Sequence, residues 1–429
     1  MAILLGMMQF FLILFICKRE YDHNSLSVFL WATLLMMFGI PHLLTTFSNE
    51  TGYLPWVIDD ASVFVIGFCF IYILARETLS ILFLSKKTKV RAFEVFDHSL
   101  TVMRILFWGL FFVVFYKLYE IYQFAGSLLS SSWGSGREMI LEQDYLSFSK
   151  LILSLYYPFS SALLYALIIK NKKYTILSAL LIMMCVLFTR NRIEVLPLLI
   201  CVMIYLLYVK RNMTFGKIAL FGFIAVFSLY LINALLMFRY YGTVDTFLNS
   251  FNFSEFNRQV LEHISSGQGE LSLREVFYYF INNNNNFSNF NEGHTYIRML
   301  MVLIPSGLAF GLKPPDFAIS MGSAYRSDLV GFSTHPTLFG DCYANLGDYG
   351  IFLGIFWAFY VVAFDHLVSA QKSRFFKLVL LVSVACSYII MGRGSVYNAF
   401  SILVFSIILS YFIYCMLKLV FNKNLRKRL

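Results

Sequence analysis

The sequence predicts an all-α protein that crosses a membrane many times. Of its 429 residues, 59% are hydrophobic and 14% are charged, and the mean hydropathy is +0.71. A water-soluble protein of this composition would lack the polar side chains needed to cover its surface. Apolar runs of about twenty residues, enough to cross roughly 30 Å of hydrocarbon as a helix, recur from end to end.

These runs predict about eleven membrane-spanning helices. The first run has no basic segment before it and no small-residue cleavage site after it, so we expect a retained helix and not a signal peptide. The charged pair Arg76–Glu77 leaves open an earlier end for the third helix, with residues 78–84 lying along the interface. The predicted helices, in chain order, are residues 1–17, 26–47, 61–84, 100–125, 151–169, 174–188, 195–209, 217–238, 345–367, 377–391 and 396–420.

The basic residues predict the orientation of the chain, because short loops rich in lysine and arginine are retained in the cytoplasm. Six such clusters fall in alternate loops, which places the amino terminus outside and the carboxyl terminus inside. The net charge of +10 then follows from topology and favours anionic lipid headgroups; it does not indicate nucleic-acid binding. The clusters lie at residues 18–19, 86–91, 170–173, 210–217, 372–377 and 423–428.

We divide the chain into an amino-terminal membrane bundle of about eight helices (1–238), a large outer loop (239–344) and about three carboxyl-terminal membrane helices (345–429). A loop of this length usually carries function. Within it, residues 253–264 and 271–281 have amphipathic helical spacing. The asparagine run at 282–286 is either a flexible hinge or low-complexity sequence, and residues 298–311 predict a re-entrant or interfacial helix.

Cysteine and histidine indicate neither a disulfide framework nor a metal site. Six of the seven cysteines fall within predicted spans, where a thiol behaves as a small apolar side chain, and Cys342 in the outer loop has no obvious partner. The seven histidines are scattered, and no Cys or His pair has ligand spacing. We therefore expect no cofactor.

Arginine occurs on the outer side, where the charge rule disfavours it. The turns at residues 188–194 and 391–395 carry Arg190, Arg192 and Arg393. A cation at membrane depth is costly unless it is paired or faces water, so these residues either reach up to lipid headgroups or meet an anionic ligand. Because the guanidinium fork offers paired donors to phosphate oxygens, a lipid-linked diphosphate fits.

Residues 333–350 carry the remaining candidates, where the outer loop runs into an apolar helix. His335 is the leading candidate for a general base because an unperturbed imidazole titrates near pH 6.5. Asp341 is its rival. Either could instead cap the following helix, and Gly340, Gly347 and Gly350 could simply permit close helix approach. Arg298 and Arg326 of the outer loop complete the set of candidate diphosphate ligands.

These features together resemble the bacterial O-antigen polymerases, which polymerise lipid-linked oligosaccharide repeat units. The resemblance covers nearly the whole chain as architecture: the helix number, the large late outer loop, the turn at 189–192, the segment 335–350 and the turn at 392–394. It implies a glycosyltransferase of the bacterial inner membrane that acts at the periplasmic face without a metal ion.

In the reaction that the resemblance implies, one undecaprenyl-diphosphate-linked glycan is the donor and the non-reducing end of another repeat unit is the acceptor. Arg190, Arg192, Arg393, Arg298 and Arg326 would stabilise the departing diphosphate. His335 or Asp341 would take the proton of the acceptor hydroxyl. The implied partners are these two lipid-linked glycans, the bilayer and a protein that regulates chain length.

Two alternatives remain open at this stage. O-antigen ligases also carry arginines and a histidine in an outer loop, use the same donor and transfer it to lipid A core. A lipid-oligosaccharide flippase or other transporter belongs to a different class. Transporters commonly have internal repeats and sites at the membrane midplane, and no convincing repeat occurs here.

Overall fold

The structure is a computed structural model, and it describes most of the chain. The described residues are 2–48, 52–83, 100–128, 148–189, 191–209, 227, 230–231, 233–238, 241–265, 272–287, 294–326 and 333–420. Every regular element of four or more residues within these ranges is a helix.

The described residues form nineteen α-helices, and short π or 3₁₀ turns join several of them. Those of the amino-terminal half are α1 (Ala2–Asp22), α2 (Val28–Leu34), α3 (Ile40–Ser48), α4 (Pro55–Phe83), α5 (Leu100–Ala125), α6 (Phe148–Ser154), α7 (Tyr156–Phe159), α8 (Ser161–Ile168), α9 (Lys172–Thr189) and α10 (Leu196–Ile204). Those of the other half are α11 (Val244–Ser250), α12 (Phe253–Ser265), α13 (Leu273–Asn282), α14 (His294–Leu300), α15 (Phe317–Tyr325), α16 (Thr337–Leu346), α17 (Leu353–Ala370), α18 (Arg374–Gly392) and α19 (Val396–Val420).

Within the described residues, nine helical stretches are long and apolar enough to cross a membrane. They coincide with nine of the predicted runs. The run at 195–209 corresponds to a shorter apolar helix, Ile193–Val209, and the run at 217–238 lies largely outside the described residues. The chain is thus an all-α, multi-pass membrane protein, as the composition predicts, with nine such stretches described.

The second span departs from α-helical geometry where a proline interrupts it. A π turn, Leu35–Gly39, separates α2 from α3 just before Pro41, which has no backbone N–H to donate. The side-chain amide of Gln9 donates a hydrogen bond to the carbonyl of Gly39 at 3.3 Å. A side chain from α1 therefore satisfies a backbone acceptor of the irregular turn, as an apolar medium requires.

The span predicted at 345–367 begins earlier than hydropathy indicates. The chain becomes helical at Thr337, and α16 ends where Gly347 adopts a φ of +56°. A 3₁₀ turn, Gly347–Phe352, then leads into α17. Polar residues in α16 lower its hydropathy, which is why the sequence prediction excluded it from the span.

Two compact units make up the fold. The first, unit 1, comprises residues 1–92, 270–370 and 387–404, and the second, unit 2, comprises residues 93–269, 371–386 and 405–429. The helices α18 and α19 each contribute residues to both units.

A buried ion cluster joins three helices of unit 1. Arg76 of α4 donates from Nε and Nη2 to the two carboxylate oxygens of Glu20 of α1, at 3.1 and 3.2 Å. Its Nη2 also lies 2.6 Å from Asp365 of α17. Tyr72 and Ser27 donate hydroxyl hydrogens to Glu20 at 2.9 and 2.7 Å. Arg76 thus points inward to these acceptors. Helix α4 continues to Phe83, so the alternative in which the third predicted helix ends before residue 78 is wrong.

The helices α4 and α17 of unit 1 approach each other closely. A Cβ atom on Gly354 would lie 2.9 Å from the carbonyl oxygen of Phe68 and 3.1 Å from the amide nitrogen of Tyr72. Gly350 has the same role beside α16, where a Cβ would lie 2.4 Å from the carbonyl oxygen of Cys342. Here the interpretation of Gly350 as a residue that permits close packing is consistent with the structure.

The amphipathic helices of the predicted outer loop are present as α12 and α13. In unit 1, the hydroxyl of Tyr278 on α13 lies 2.5 Å from Nδ1 of His42, whose Nε2 lies 2.7 Å from the Ser62 hydroxyl. In α12 of unit 2, Phe256 and Val260 are buried, whereas Phe253, predicted to share their face, is exposed.

The asparagine run forms the carboxyl-terminal end of α13 and the turn that follows it. Asn284 and Asn285 adopt positive φ values of 49° and 56°, which asparagine tolerates better than most residues. The side-chain amide of Asn285 donates to the carbonyl of Tyr343 on α16 at 2.8 Å. The run therefore fixes the end of α13 against α16.

Unit 2 contains its own buried ion pair. Nζ of Lys117 on α5 lies 2.6 Å from Glu194 and 4.3 Å from the centroid of the Tyr156 ring. The Tyr156 hydroxyl donates to the backbone carbonyl of Glu194 at 2.8 Å. Glu194 thus pairs with a lysine from another helix.

We predict that Arg76→Ala destabilises the protein by about 3–5 kcal/mol, because it leaves two carboxylates buried without their cation. Thermal unfolding of the purified protein in detergent would measure the change. Arg104→Ala is the matched control, since Arg104 is exposed on α5. Equal unfolding temperatures for the two variants would contradict the structural importance of the cluster.

Candidate functional site

Three elements of unit 1 meet around residues 333–350, the segment that carries the candidates His335 and Asp341. They are α14, the amino-terminal half of α16, and the turn between α18 and α19. Arg298, His335, Asp341 and Arg393 belong to these elements or lie next to them in the chain.

Backbone contacts join the turn to the start of α16. The amide of Thr337 donates to the carbonyl of Arg393 at 3.1 Å. Gly394 has a φ of +102°, and a Cβ there would lie 2.7 Å from the Thr337 amide nitrogen. Only glycine fits this turn without displacing α16.

Thr337 itself has an unusual conformation. Its φ is +66°, which is strained for a β-branched residue, and its side chain is fully buried. Its hydroxyl has no hydrogen-bond partner among the described residues. Strain of this kind concentrates at functional sites, where surrounding contacts hold it in place.

Asp341 lies one turn further along α16 in a closed polar network. Its Oδ2 accepts from the hydroxyl of Thr295 on α14 at 3.2 Å, and its Oδ1 accepts from the side-chain amide of Asn345 at 3.1 Å. The Asn345 side chain also accepts from the backbone amide of Thr295 at 2.9 Å. Asp341 is only 2% exposed, so these bonds replace the water that its carboxyl group loses on burial.

Arg298 lies one turn after Thr295 on α14 and is also buried. Its Nη1 donates to the carbonyl of Pro314 at 2.6 Å. Its guanidinium carbon stands 4.5 Å from the centroid of the Tyr397 ring, a cation–π contact. Tyr397 follows Arg393 by four residues in the first turn of α19.

These contacts form a closed circuit. Arg393 is bonded to Thr337, Thr337 lies one turn from Asp341, and Asp341 is bonded to Thr295. Thr295 is one helical turn from Arg298, which stacks on Tyr397. Tyr397 follows Arg393 by four residues, across the turn in which Gly394 has a positive φ. The positions of two arginines and one carboxylate are therefore set by the same packing. We call this set of six residues the unit 1 circuit.

The remaining candidates of unit 1 lie beside this circuit. His335 precedes α16 by two residues and is partly exposed, whereas Arg326 is exposed at the end of α15. The amide of Thr334 donates to the carbonyl of Ala318 at 3.0 Å, which fixes the backbone before His335 to α15.

The other two predicted arginines belong to unit 2. Arg190 lies outside the described residues. Arg192 begins the 3₁₀ turn Arg192–Val195, and the amide of Ile193 in this turn bonds to the side chain of Asn191 at 3.3 Å. The structure gives no position for either guanidinium group.

His294 is a candidate that the sequence prediction did not single out. It begins α14 and its ring meets that of Phe317 edge-on at 5.8 Å. Its Nδ1 is buried and has no hydrogen-bond partner among the described residues. Burial lowers the pKa of this imidazole below 6.5. Only its place four residues before Arg298 could have identified it.

Within the described ranges, no group of three or more His, Cys, Asp or Glu side chains is arranged to hold a metal ion. The chemistry that the circuit offers is hydrogen bonding and positive charge from guanidinium groups.

Comparisons with known proteins assign no family to the chain. No protein-family model matches it, and no curated protein or solved structure is significantly similar.

We predict that Gly394→Ala destabilises the protein by about 1–3 kcal/mol, because the new methyl group strains the backbone and collides with Thr337. Gly311→Ala is the matched control: Gly311 also has a positive φ of 77°, but a Cβ there would have nothing within 4 Å. Thermal unfolding compares the two. A loss for Gly311→Ala as large as that for Gly394→Ala would show that steric crowding at Thr337 contributes nothing.

We predict that His294 makes the protein less stable in mild acid. Because the pKa of His294 is lowered in the folded state, the unfolded chain takes up its proton first as the pH falls below about 6.5, which favours unfolding. The unfolding temperature should therefore fall less steeply with decreasing pH in His294→Gln than in the parent protein. His366→Gln, which changes an exposed imidazole, is the control. Parallel curves for the parent protein and His294→Gln would refute this.

Proposed function

We propose that this protein is a membrane glycosyltransferase that polymerises oligosaccharide repeat units carried on undecaprenyl diphosphate. The acceptor hydroxyl attacks the anomeric carbon of the donor glycan, and a new glycosidic bond forms there. The bond between that carbon and the diphosphate oxygen breaks. Undecaprenyl diphosphate leaves with the bonding electrons, and the hydroxyl proton passes to a base of the protein.

The observation that carries the proposal is the unit 1 circuit. It places the backbone positions of Arg298 and Arg393 on neighbouring elements beside α16, although 94 residues lie between them in the chain. Positioned guanidinium groups can stabilise charge on a departing diphosphate, as a divalent cation does in other transferases. Strain at Thr337 in the same place supports a functional role for this packing.

His335 is better suited than Asp341 to take the proton. Both carboxylate oxygens of Asp341 accept hydrogen bonds from Thr295 and Asn345, and the side chain is buried. These contacts favour a positioning role, in which Asp341 holds α14 against α16. His335 is partly exposed at the start of α16 and can meet an acceptor that enters from solvent.

The setting of the reaction follows from the charge distribution along the chain. We propose that the protein lies in the bacterial inner membrane with its amino terminus in the periplasm and its carboxyl terminus in the cytoplasm. The candidate site then faces the periplasm, where lipid-linked donor and acceptor meet it at the bilayer surface. A regulator of chain length is a further proposed partner. Arg190 and Arg192 remain predicted diphosphate ligands on the sequence alone, as does Arg326.

The test is synthesis of glycan ladders by the purified protein from lipid-linked repeat units, with no lipid A core present. We expect Arg393→Ala and Arg298→Ala each to reduce turnover about 10²–10³-fold, by loss of charge stabilisation at the leaving group. Arg393→Ala perturbs the packing less, because the hydrogen bond from the Thr337 amide to the backbone carbonyl at position 393 survives the substitution. Arg258→Ala is the control, since Arg258 makes only exposed ion pairs on α12.

Two results would contradict the proposal. A parent protein that makes no ladder, but transfers the glycan once core acceptor is added, is a ligase. A parent protein that makes ladders, together with unchanged turnover in folded Arg298→Ala and Arg393→Ala, would remove the circuit from the mechanism. His335→Ala and Asp341→Asn are assayed beside them, and we expect the larger loss of turnover from His335→Ala.

A further inference from the structure

An exposed apolar loop extends from the carboxyl end of α14. Residues 299–312 contain no charged side chain, and the charged residues Arg298 and Lys313 flank them on either side. Phe310 is 90% exposed, Leu300 is 88% exposed and Leu312 is 70% exposed. We call residues 299–312 the apolar loop. Met299, Val302 and Ala309 are buried and anchor the loop, and most of the remaining apolar side chains are exposed. Single exposed hydrophobic residues are ordinary on protein surfaces, but a group of this size marks an interaction site.

The apolar loop is not part of a membrane-spanning helix. The sequence predicts a re-entrant or interfacial helix for 298–311, but α14 ends at Leu300, and a 3₁₀ turn, Ser306–Leu308, is the remaining helical element of the loop. Between Val209 and Thr337, no helix within the described ranges is long and apolar enough to cross a membrane. The exposure of these side chains therefore needs a different explanation from that of the lipid-facing residues of the spans.

Several backbone amides of the apolar loop are hydrogen-bonded to carbonyls within it. Successive tight turns let the amides of Val302, Ile304, Leu308 and Leu312 donate to carbonyls three residues earlier, at 2.8–3.2 Å. Nζ of Lys313 donates to the carbonyl of Ile304 at 2.7 Å. Local satisfaction of backbone groups is what hydrocarbon demands of a segment that enters it, whereas water would solvate free groups at no such cost.

The two ends of the apolar loop are tied together. Nη1 of Arg298 donates to the carbonyl of Pro314 at 2.6 Å, and Arg298 also stacks on Tyr397. The hydrogen bond closes the base of the loop, and the stacking attaches that base to the first turn of α19. The tip is apolar and exposed, whereas the base is cationic and packed.

We propose that the apolar loop inserts its tip into the acyl region of one bilayer leaflet, with Arg298 and Lys313 at the level of the headgroups. The occupant of this surface is bilayer lipid. Apolar area drives the insertion, and the partly exposed Lys313 at its edge favours anionic headgroups. Because Arg298 is both the base of the loop and a member of the unit 1 circuit, insertion sets the depth of the circuit relative to the headgroups.

Fluorescence of the full-length protein in lipid nanodiscs tests this. In Phe310→Trp, an aromatic residue replaces a nearly fully exposed aromatic residue, so the fold should be preserved, and the five native tryptophans supply a baseline that is subtracted. We expect lipids brominated along their acyl chains to quench most of the added emission, and acrylamide in water to quench little of it. Leu312→Trp repeats the measurement at a second position.

Glu262→Trp is the control, because Glu262 is exposed on α12 beside the charged side chain of Arg258. We expect its added emission to be quenched by acrylamide and not by brominated lipid. Quenching of the Phe310→Trp and Leu312→Trp emission by acrylamide alone would place the apolar loop in water and overturn the proposal. Protection from both quenchers would mean that protein covers the loop, and would overturn it equally. Neither readout depends on glycan synthesis, so this proposal can fail while the proposed function stands.

Discussion

The packing of unit 1 depends on one buried cation. Arg76 lies between Glu20 and Asp365, so that three helices distant in the chain share a single guanidinium group. Taking any one of these charges out of water alone would cost several kcal/mol, and the cluster is tolerable only when all three are assembled with the hydroxyl donors around them. Such a cluster therefore selects one arrangement of α1, α4 and α17, whereas apolar contacts alone would allow sliding between them. Helix α4 continues unbroken past Arg76 to Phe83.

The membrane-spanning helices could be predicted because hydrocarbon thickness imposes a minimum length on each apolar run, whatever its detailed packing. Helices α5 and α19 have the predicted ends, and α18 differs from the predicted 377–391 by at most three residues at either end. The prediction failed where local polarity hides burial. Asp341 lowers the mean hydropathy of α16, yet inside the protein its carboxylate accepts a hydrogen bond from the side-chain amide of Asn345. The asparagine run looked mobile by composition, but a contact with Tyr343 orders it. Asn285 and Tyr343 are far apart in the chain and meet only in the folded protein. The polarity of Asp341 is likewise compensated only by hydrogen bonds that form on folding.

The candidate site shows the same division. Arginines in turns that the predicted topology places on the outer side, and a histidine leading into a helix, were recognisable in the sequence as anomalies of charge and polarity. Which of them meet could not be read from the chain, because Arg298 and Arg393 are joined through Tyr397, Thr337 and Thr295, none of which has a sequence signal of its own. His294 was overlooked for a related reason: an isolated histidine in a long loop looks the same whether its ring is hydrated or buried. Strain at Thr337 is a property of the backbone and leaves no trace in composition.

The contact between α4 and α17 limits how unit 1 can move. Because Gly354 has no side chain, the backbone of α17 packs directly against that of α4 at Phe68 and Tyr72. Any displacement of one helix relative to the other would break this backbone contact. A change in the shape of unit 1 is therefore expected at turns and short helices that lie outside this contact.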